Sequence, residues 1–210
     1  MRITIFGATG GTGKHLIEQA LAAGHQVTAV VRDPAKVTRE HPELTVVRAD
    51  VMDAAGIRPH IAGRDAVISA IGSTSVRNPT AVQTDSTISI LDAMGAAGVR
   101  RFLVVSNGGM ITEGDDPLTK HLVKPIMWRF LKHPWTDMQR MEEIVRASEA
   151  DWTIIRPPRL TEGPRTGRYR SAVERAVRGG MKISRADLAD SILRSLDDDS
   201  SIRSAIAVAD

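Results

Sequence analysis

The chain has no cysteine, which excludes disulfide scaffolds, thiolate zinc sites and cysteine nucleophiles. It is also poor in aromatics, with one tyrosine, three phenylalanines and three tryptophans. That is too few to expect base-stacking platforms for single-stranded nucleic acid. No apolar run approaches the ~18 residues that a membrane span needs. Neither charge sign dominates: 28 basic against 25 acidic residues leave a formal net charge of +3. So mild an excess suits a polyanionic cofactor or a solvated surface better than a nucleic-acid footprint. The six histidines are never paired four residues apart on a helix, so no metal site is expected. An apolar strand begins at Arg2 and leaves no room for a signal peptide, so a cytoplasmic location is the expectation.

What is present is an alternation of short β-branched runs with helical stretches, the pattern of a parallel sheet wrapped by helices. Strands are expected near 2–6, 26–31, 44–49, 65–70, 100–106, 152–156 and 204–208, with a short extended piece near 167–172. Helices fit at 12–23, 53–61, 81–97, 137–149 and 185–197, with a short one near 34–39. The last long helix carries a capping box, Ser184 as N-cap and Asp187 three residues on. The fold class is therefore α/β, a Rossmann-type doubly wound parallel sheet in one domain spanning 1–210. Residues 107–136 break the rhythm. They start on Gly108-Gly109, are basic and amphipathic around Lys120–Lys132, and are long for a βα connection, which predicts a lid or substrate-side insertion. An interfacial membrane helix is the weaker reading, because Pro125 falls in its middle.

The strongest local signal is Gly7-Ala8-Thr9-Gly10-Gly11-Thr12-Gly13, lying between an apolar strand and an amphipathic helix. Gly7 permits a tight exit from the strand, Gly10 leaves the pyrophosphate unobstructed, and Gly13 lets helix and sheet pack closely. Free N–H groups and the positive dipole end of the helix then face the anion, making Gly7, Thr9, Gly10, Gly11, Thr12 and Gly13 a dinucleotide turn. A P-loop is excluded, since His15 follows Gly13-Lys14. At the end of the second strand stand Arg32 and Asp33. Asp33 precedes Pro34 and reads as an N-cap with proline at the first helical position. Arg32 is left to meet the ribose, which favours the 2′-phosphate of NADP(H), with NAD(H) as the other possibility.

With those residues in place, the chain resembles the atypical short-chain dehydrogenase/reductase superfamily, in the branch of NAD(P)H-binding proteins that includes flavin reductase/biliverdin reductase B and NmrA-like proteins. The resemblance rests on the 7–13 glycine spacing, Asp50-Val51, Ser69-Ala70-Ile71-Gly72, Val104-Val105-Ser106, Asp151–Pro157 and Ile183–Ala189. It implies that Asp50 and Val51 flank the adenine and that Ala70, Ile71 and Gly72 line the adenosine. It places Ser106 near the nicotinamide, with Pro157 and the loop to Thr161 on its far side. The departures narrow the chemistry. The Tyr-x-x-x-Lys pair of the superfamily's alcohol dehydrogenases is missing; the helix where it belongs reads Met138-Gln139-Arg140-Met141-Glu142. Pro157-Pro158-Arg159 stands where the biliverdin-reductase-like branch has Pro-Pro-His, which argues against a tetrapyrrole.

The resulting expectation is an NADPH-dependent reductase of a small aromatic acceptor, a flavin or quinone. Ser106 would orient nicotinamide or acceptor, and Arg159 would meet the acceptor's negative charge. The alternative is a non-catalytic NADP sensor of the NmrA-like kind, which would imply a protein partner. Neither nucleic acid nor membrane is expected as a partner; the Arg159–Arg178 cluster flanks the expected acceptor site instead.

Overall fold

The computed structural model describes residues 1–72, 78–114 and 117–210. Six parallel strands form the body of the sheet: β1 (Arg2–Phe6), β2 (Gln26–Val31), β3 (Leu44–Arg48), β4 (Ala66–Ser69), β5 (Arg101–Val105) and β6 (Asp151–Arg156). Two short strands, β7 (Arg159–Thr161) and β9 (Lys182–Ser184), pair in parallel as a separate ribbon. β8 (Arg170–Val173) and β10 (Ser204–Ala209) complete the main sheet, whose order is β3-β2-β1-β4-β5-β6-β10-β8. β10 runs parallel to β6, and β8 antiparallel to β10, so the extended piece expected near 167–172 is an edge strand.

Helices cover both faces, as the nearly continuous burial of β1, β2 and β4 requires. On one face, α1 (Gly11–Ala22) and α5 (Arg185–Leu196) pack Leu16, Ile17, Leu188 and Ile192 against Ile3, Ile5 and Leu103. On the other, α2 (Ala54–Ile61), α3 (Val82–Ala97) and α4 (Lys124–Ala147) pack Ile57, Ile90 and Met141 against Phe6, Val67 and Phe102. Neighbouring strand residues such as Phe102 and Leu103 thus serve opposite cores, the two-residue period of a strand at work.

Two sequence expectations need amendment. The short helix near 34–39 is a single 3-10 turn, Pro34–Lys36. The helix expected at 137–149 begins far earlier, and residues 117–147 are helical throughout, with a π-helical stretch at Thr119–Val123 leading into α4. Pro125 follows that π-helical stretch, in which the Lys124 N–H reaches back to the Thr119 carbonyl, and the helix continues through it. Pro134 lies inside α4; the carbonyl whose helical donor it removes belongs to Phe130, whose residue is exposed. Of the 107–136 segment, residues 115 and 116 lie outside the described set. Its Gly108-Gly109 start forms a 3-10 turn, and a Cβ on Gly109 would come within 2.5 Å of the Trp135 ring.

Candidate cofactor and acceptor site

The chain order reverses between β1 and β4, and a crevice outside the carboxyl ends of the strands is expected there. The backbone at this point is packed to the limit. Gly7 has φ +76°, and a Cβ on it would lie 2.5 Å from the Ala70 carbonyl at the exit of β4. A Cβ on Gly13 would lie 2.2 Å from the Gly7 oxygen, so α1 can start this close to β1 only without a side chain. Gly10 is the N-cap of α1 and supplies no side-chain hydrogen bond, so the first N–H groups of the helix remain for an anion. A cradle that any Cβ would fill, opened onto an uncapped helix N-terminus, fits a dinucleotide pyrophosphate.

Arg185 was not singled out by the sequence. Its side chain lies across Gly11, where a Cβ would sit 2.5 Å from Cδ and 2.6 Å from Nε. An ion pair to Glu162 at 2.5 Å holds the guanidinium there, beside the glycine turn.

The remaining expected residues fall along the same edge of the sheet, in strand order. Asp50 and Val51 follow β3, Arg32 follows β2, the glycine turn follows β1, Ala70–Gly72 follow β4, Ser106 follows β5 and Pro157 follows β6. At ~4.8 Å between strands this row is roughly 24 Å long. Asp33 caps the Pro34 turn as expected, its carboxylate accepting from the Ala35 N–H at 3.2 Å. Arg32 is exposed and has no hydrogen-bond or ion-pair partner among the described residues. Asp50 accepts from the Met52 N–H at 3.0 Å, which fixes its turn. A cavity of about 260 Å³ opens at this end, between Lys14, Ile17 and Glu18 of α1 and the Lys36–Arg39 turn.

At the other end, Ser106 is buried and its hydroxyl donates to Glu142 Oε1 at 2.6 Å. Glu142, on α4, is buried too and pairs with Arg156 through both oxygens, Nε lying 3.0 Å away. Arg156 reaches Glu174 at 3.6 Å, and Arg146 pairs with the same carboxylate at 2.7 Å. Burial would push the Glu174 carboxyl up, but the Arg146 hydrogen bond, the Ala205 N–H and the Arg156 charge hold it below the usual carboxylate range. The Ser106 hydroxyl therefore offers a ligand its lone pairs, not its proton. Pro157 is buried and its carbonyl accepts from the Gly108 N–H at 2.7 Å, while Arg159 is exposed at the start of β7.

Two further carboxylates hold the frame. Asp137 of α4 accepts from the N–H groups of Gln83 and Thr84 at 3.0 Å each and caps the start of α3. The Gln83 amide in turn donates to the Ile71 carbonyl at 2.7 Å, so α4, α3 and the β4 exit are linked. Ser184 caps α5 as expected, accepting from the Asp187 N–H at 2.9 Å, yet Asp187 does not close the box. Its carboxylate accepts from the N–H groups of Thr166 and Gly167 at 2.7 and 2.8 Å and pins that loop. The sole tyrosine, Tyr169, donates to Asp190 at 2.8 Å. Burial and that buried carboxylate push its phenol far above its ordinary value. Among the described residues no group of His, Asp and Glu is arranged to hold a metal ion.

Fold and site together define a dinucleotide-binding Rossmann protein with an oxidoreductase-like architecture. A family model described as NAD(P)H-binding matches residues 7–199, and the chain belongs to that family. An uncharacterised chloroplastic protein of Arabidopsis thaliana is 31% identical over 178 residues; the match covers 79% of this chain and 61% of that relative's length. A Streptococcus pneumoniae structure, of a protein called an NADH-flavin reductase, superposes with a TM-score of 0.82 at 24% identity, covering 100% of this chain and 99% of that one. A Veillonella parvula short-chain dehydrogenase/reductase in complex with NADP does so with a TM-score of 0.81 at 20% identity, covering 100% and 94%. At those identities the two structures speak for the fold alone. Among the described residues, no helix is long and apolar enough to cross a membrane.

Proposed function

We propose that the chain is an NADPH-dependent reductase of a small aromatic acceptor, a flavin or a quinone. The observation that carries this is the absence, among the described residues, of an available proton donor where alcohol chemistry would need one. The only tyrosine hydroxyl is bound to Asp190, and the Ser106 proton is directed at Glu142. Ketone reduction needs an acid at the carbonyl oxygen, whereas a flavin or quinone laid flat on the nicotinamide needs chiefly positioning. Bound in the cleft, the reduced nicotinamide would supply a hydride, and the acceptor would take its proton from solvent.

The chain's own residues divide the binding. The α1 N-terminus and Arg185 meet the pyrophosphate; for Arg185 this means exchanging highly exposed Glu162 for the anion. Arg32 reads the 2′-phosphate, supported by Lys14, Lys36 and Arg39 around the adjoining cavity, which outnumber its one carboxylate, Glu18. Ser106, its rotor fixed by Glu142, orients the nicotinamide, and Arg159 meets the acceptor's negative charge.

An acceptor screen that follows the loss of nicotinamide absorbance tests the reading. Turnover is expected with flavins and quinones and not with ketones, and NADPH should bind roughly tenfold or more tighter than NADH. Arg32→Ala should remove that preference and leave NADH unchanged. Equal affinity for both cofactors in the unmodified protein would sink the Arg32 assignment. Silence with every acceptor despite cofactor binding would make the chain a cofactor sensor with a protein partner.

A further inference from the structure

Five of the eleven most exposed large apolar side chains among the described residues lie in one stretch of thirteen: Leu118, Leu122, Ile126, Met127 and Phe130. Leu118 and Phe130 are 64% and 67% exposed, the two highest values among them. No residue from 117 to 133 is buried. The same stretch is basic without exception: Lys120, Lys124, Arg129 and Lys132 stand there, and residues 117–136 hold none of the chain's 25 acidic residues. Lys124 also reaches back to the Ile111 carbonyl, and the remaining cations are exposed. The nearest acids in the sequence are Asp137, which is buried, on one side and Asp116, outside the described residues, on the other.

We infer that the 117–133 stretch is a docking surface for an anionic lipid bilayer, on which it lies in the interfacial plane. An unpartnered apolar stripe interleaved with cations and free of acids is what an interfacial helix requires: the stripe enters the acyl boundary and the cations remain among the headgroups. The objection raised by Pro125 disappears, because the helix is unbroken on both sides of it. A second copy of the chain is the poorer occupant. A two-fold interface would set exposed Lys120, Arg129 and Lys132 against their own copies, and residues 117–136 supply no acid to face them. A lipid surface bearing net negative charge suits these three cations at once. The inference stands apart from the proposed redox chemistry, since docking needs neither cofactor nor acceptor.

Flotation of the full chain with vesicles of phosphatidylcholine alone, and of phosphatidylcholine mixed with phosphatidylglycerol, tests it. Each basic residue near such a surface contributes roughly fivefold to partitioning, so the mixed vesicles should be favoured by at least about tenfold, and raised salt should erase the difference. Lys120→Glu with Lys132→Glu should lower binding to the mixed vesicles by at least about tenfold. Phe130→Asp should abolish binding while thermal melting and cofactor binding stay unchanged, because all three side chains are exposed. No binding of the unmodified chain to mixed vesicles overturns the inference. So does equal binding to both compositions. Self-association that Phe130→Asp abolishes, in a chain that ignores vesicles, assigns the face to a second copy instead.

Discussion

The two ends of α4 and its lead-in share one continuous helix and almost nothing else. From Pro134 onward the helix is bedded in the domain, with Trp135, Asp137, Met141, Glu142 and Val145 all buried. From residue 117 to His133 nothing is buried, yet Leu122, Ile126 and Phe130 are as apolar as any core residue. The charges are divided just as sharply. The bedded end buries two carboxylates, each with partners: Asp137 on the start of α3, and Glu142 between Ser106 and Arg156. The bare end carries cations and no carboxylate. Apolar character alone therefore does not say which part of a helix is core. What marks the bedded end is that its polar groups have fixed, complementary partners on neighbouring elements.

That contrast can be tested from both sides. The largest effect is expected at Glu142. Glu142→Ala leaves the Arg156 guanidinium buried, facing only Glu174 at 3.6 Å, and removes the acceptor of Ser106. The loss should be about 3–5 kcal/mol in denaturant melts. Glu142→Gln keeps an acceptor for Ser106 and should lose less. A Glu142→Ala variant within about 1 kcal/mol of the parent would mean that the ion pair does not anchor the bedded end. Next comes Asp137. Asp137→Ala removes the charged acceptor for the Gln83 and Thr84 N–H groups and should cost about 1.5–3 kcal/mol, read from the same melts. Protection of the first α3 amides against hydrogen exchange should fall with it, and unchanged protection would remove Asp137 from its capping role. The smallest effects belong to the bare end. Leu122→Ser and Ile126→Ser should each change stability by no more than about 0.5 kcal/mol. A loss of several kcal/mol at either position would show that the bare end packs on the domain in solution.

The parts legible from sequence were those whose cause is local. The glycine turn announces itself because strand, spacing and helix start occupy one short stretch, and the close approaches at Gly7 and Gly13 follow from it. The Asp33 cap was readable for the same reason, since donor and acceptor lie two residues apart. Partners distant in the chain were not readable. Asp187 was expected to close a capping box three residues away, but Thr166 and Gly167 present N–H groups that only the folded chain brings near. Glu142 and Arg156 come from α4 and β6, and the one clue was an acid set among Met141 and Val145 on an apolar face. The start of α4 was misplaced because proline was read as a breaker. Pro125 follows a π-helical stretch and Pro134 lies inside α4, and the helix continues through both.

The contact between Gly11 and Arg185 joins two residues 174 positions apart, one opening α1 and the other opening α5. Their sizes are coupled through that contact. A chain of this fold that carries a side chain at position 11 must shorten residue 185 or swing it off the turn, and with it goes a positive charge from beside the glycine turn. Correlated exchange at these two positions among related sequences would be the evolutionary trace of a steric fact. A design that fills position 11 to stabilise the helix should be made together with its counterpart at 185.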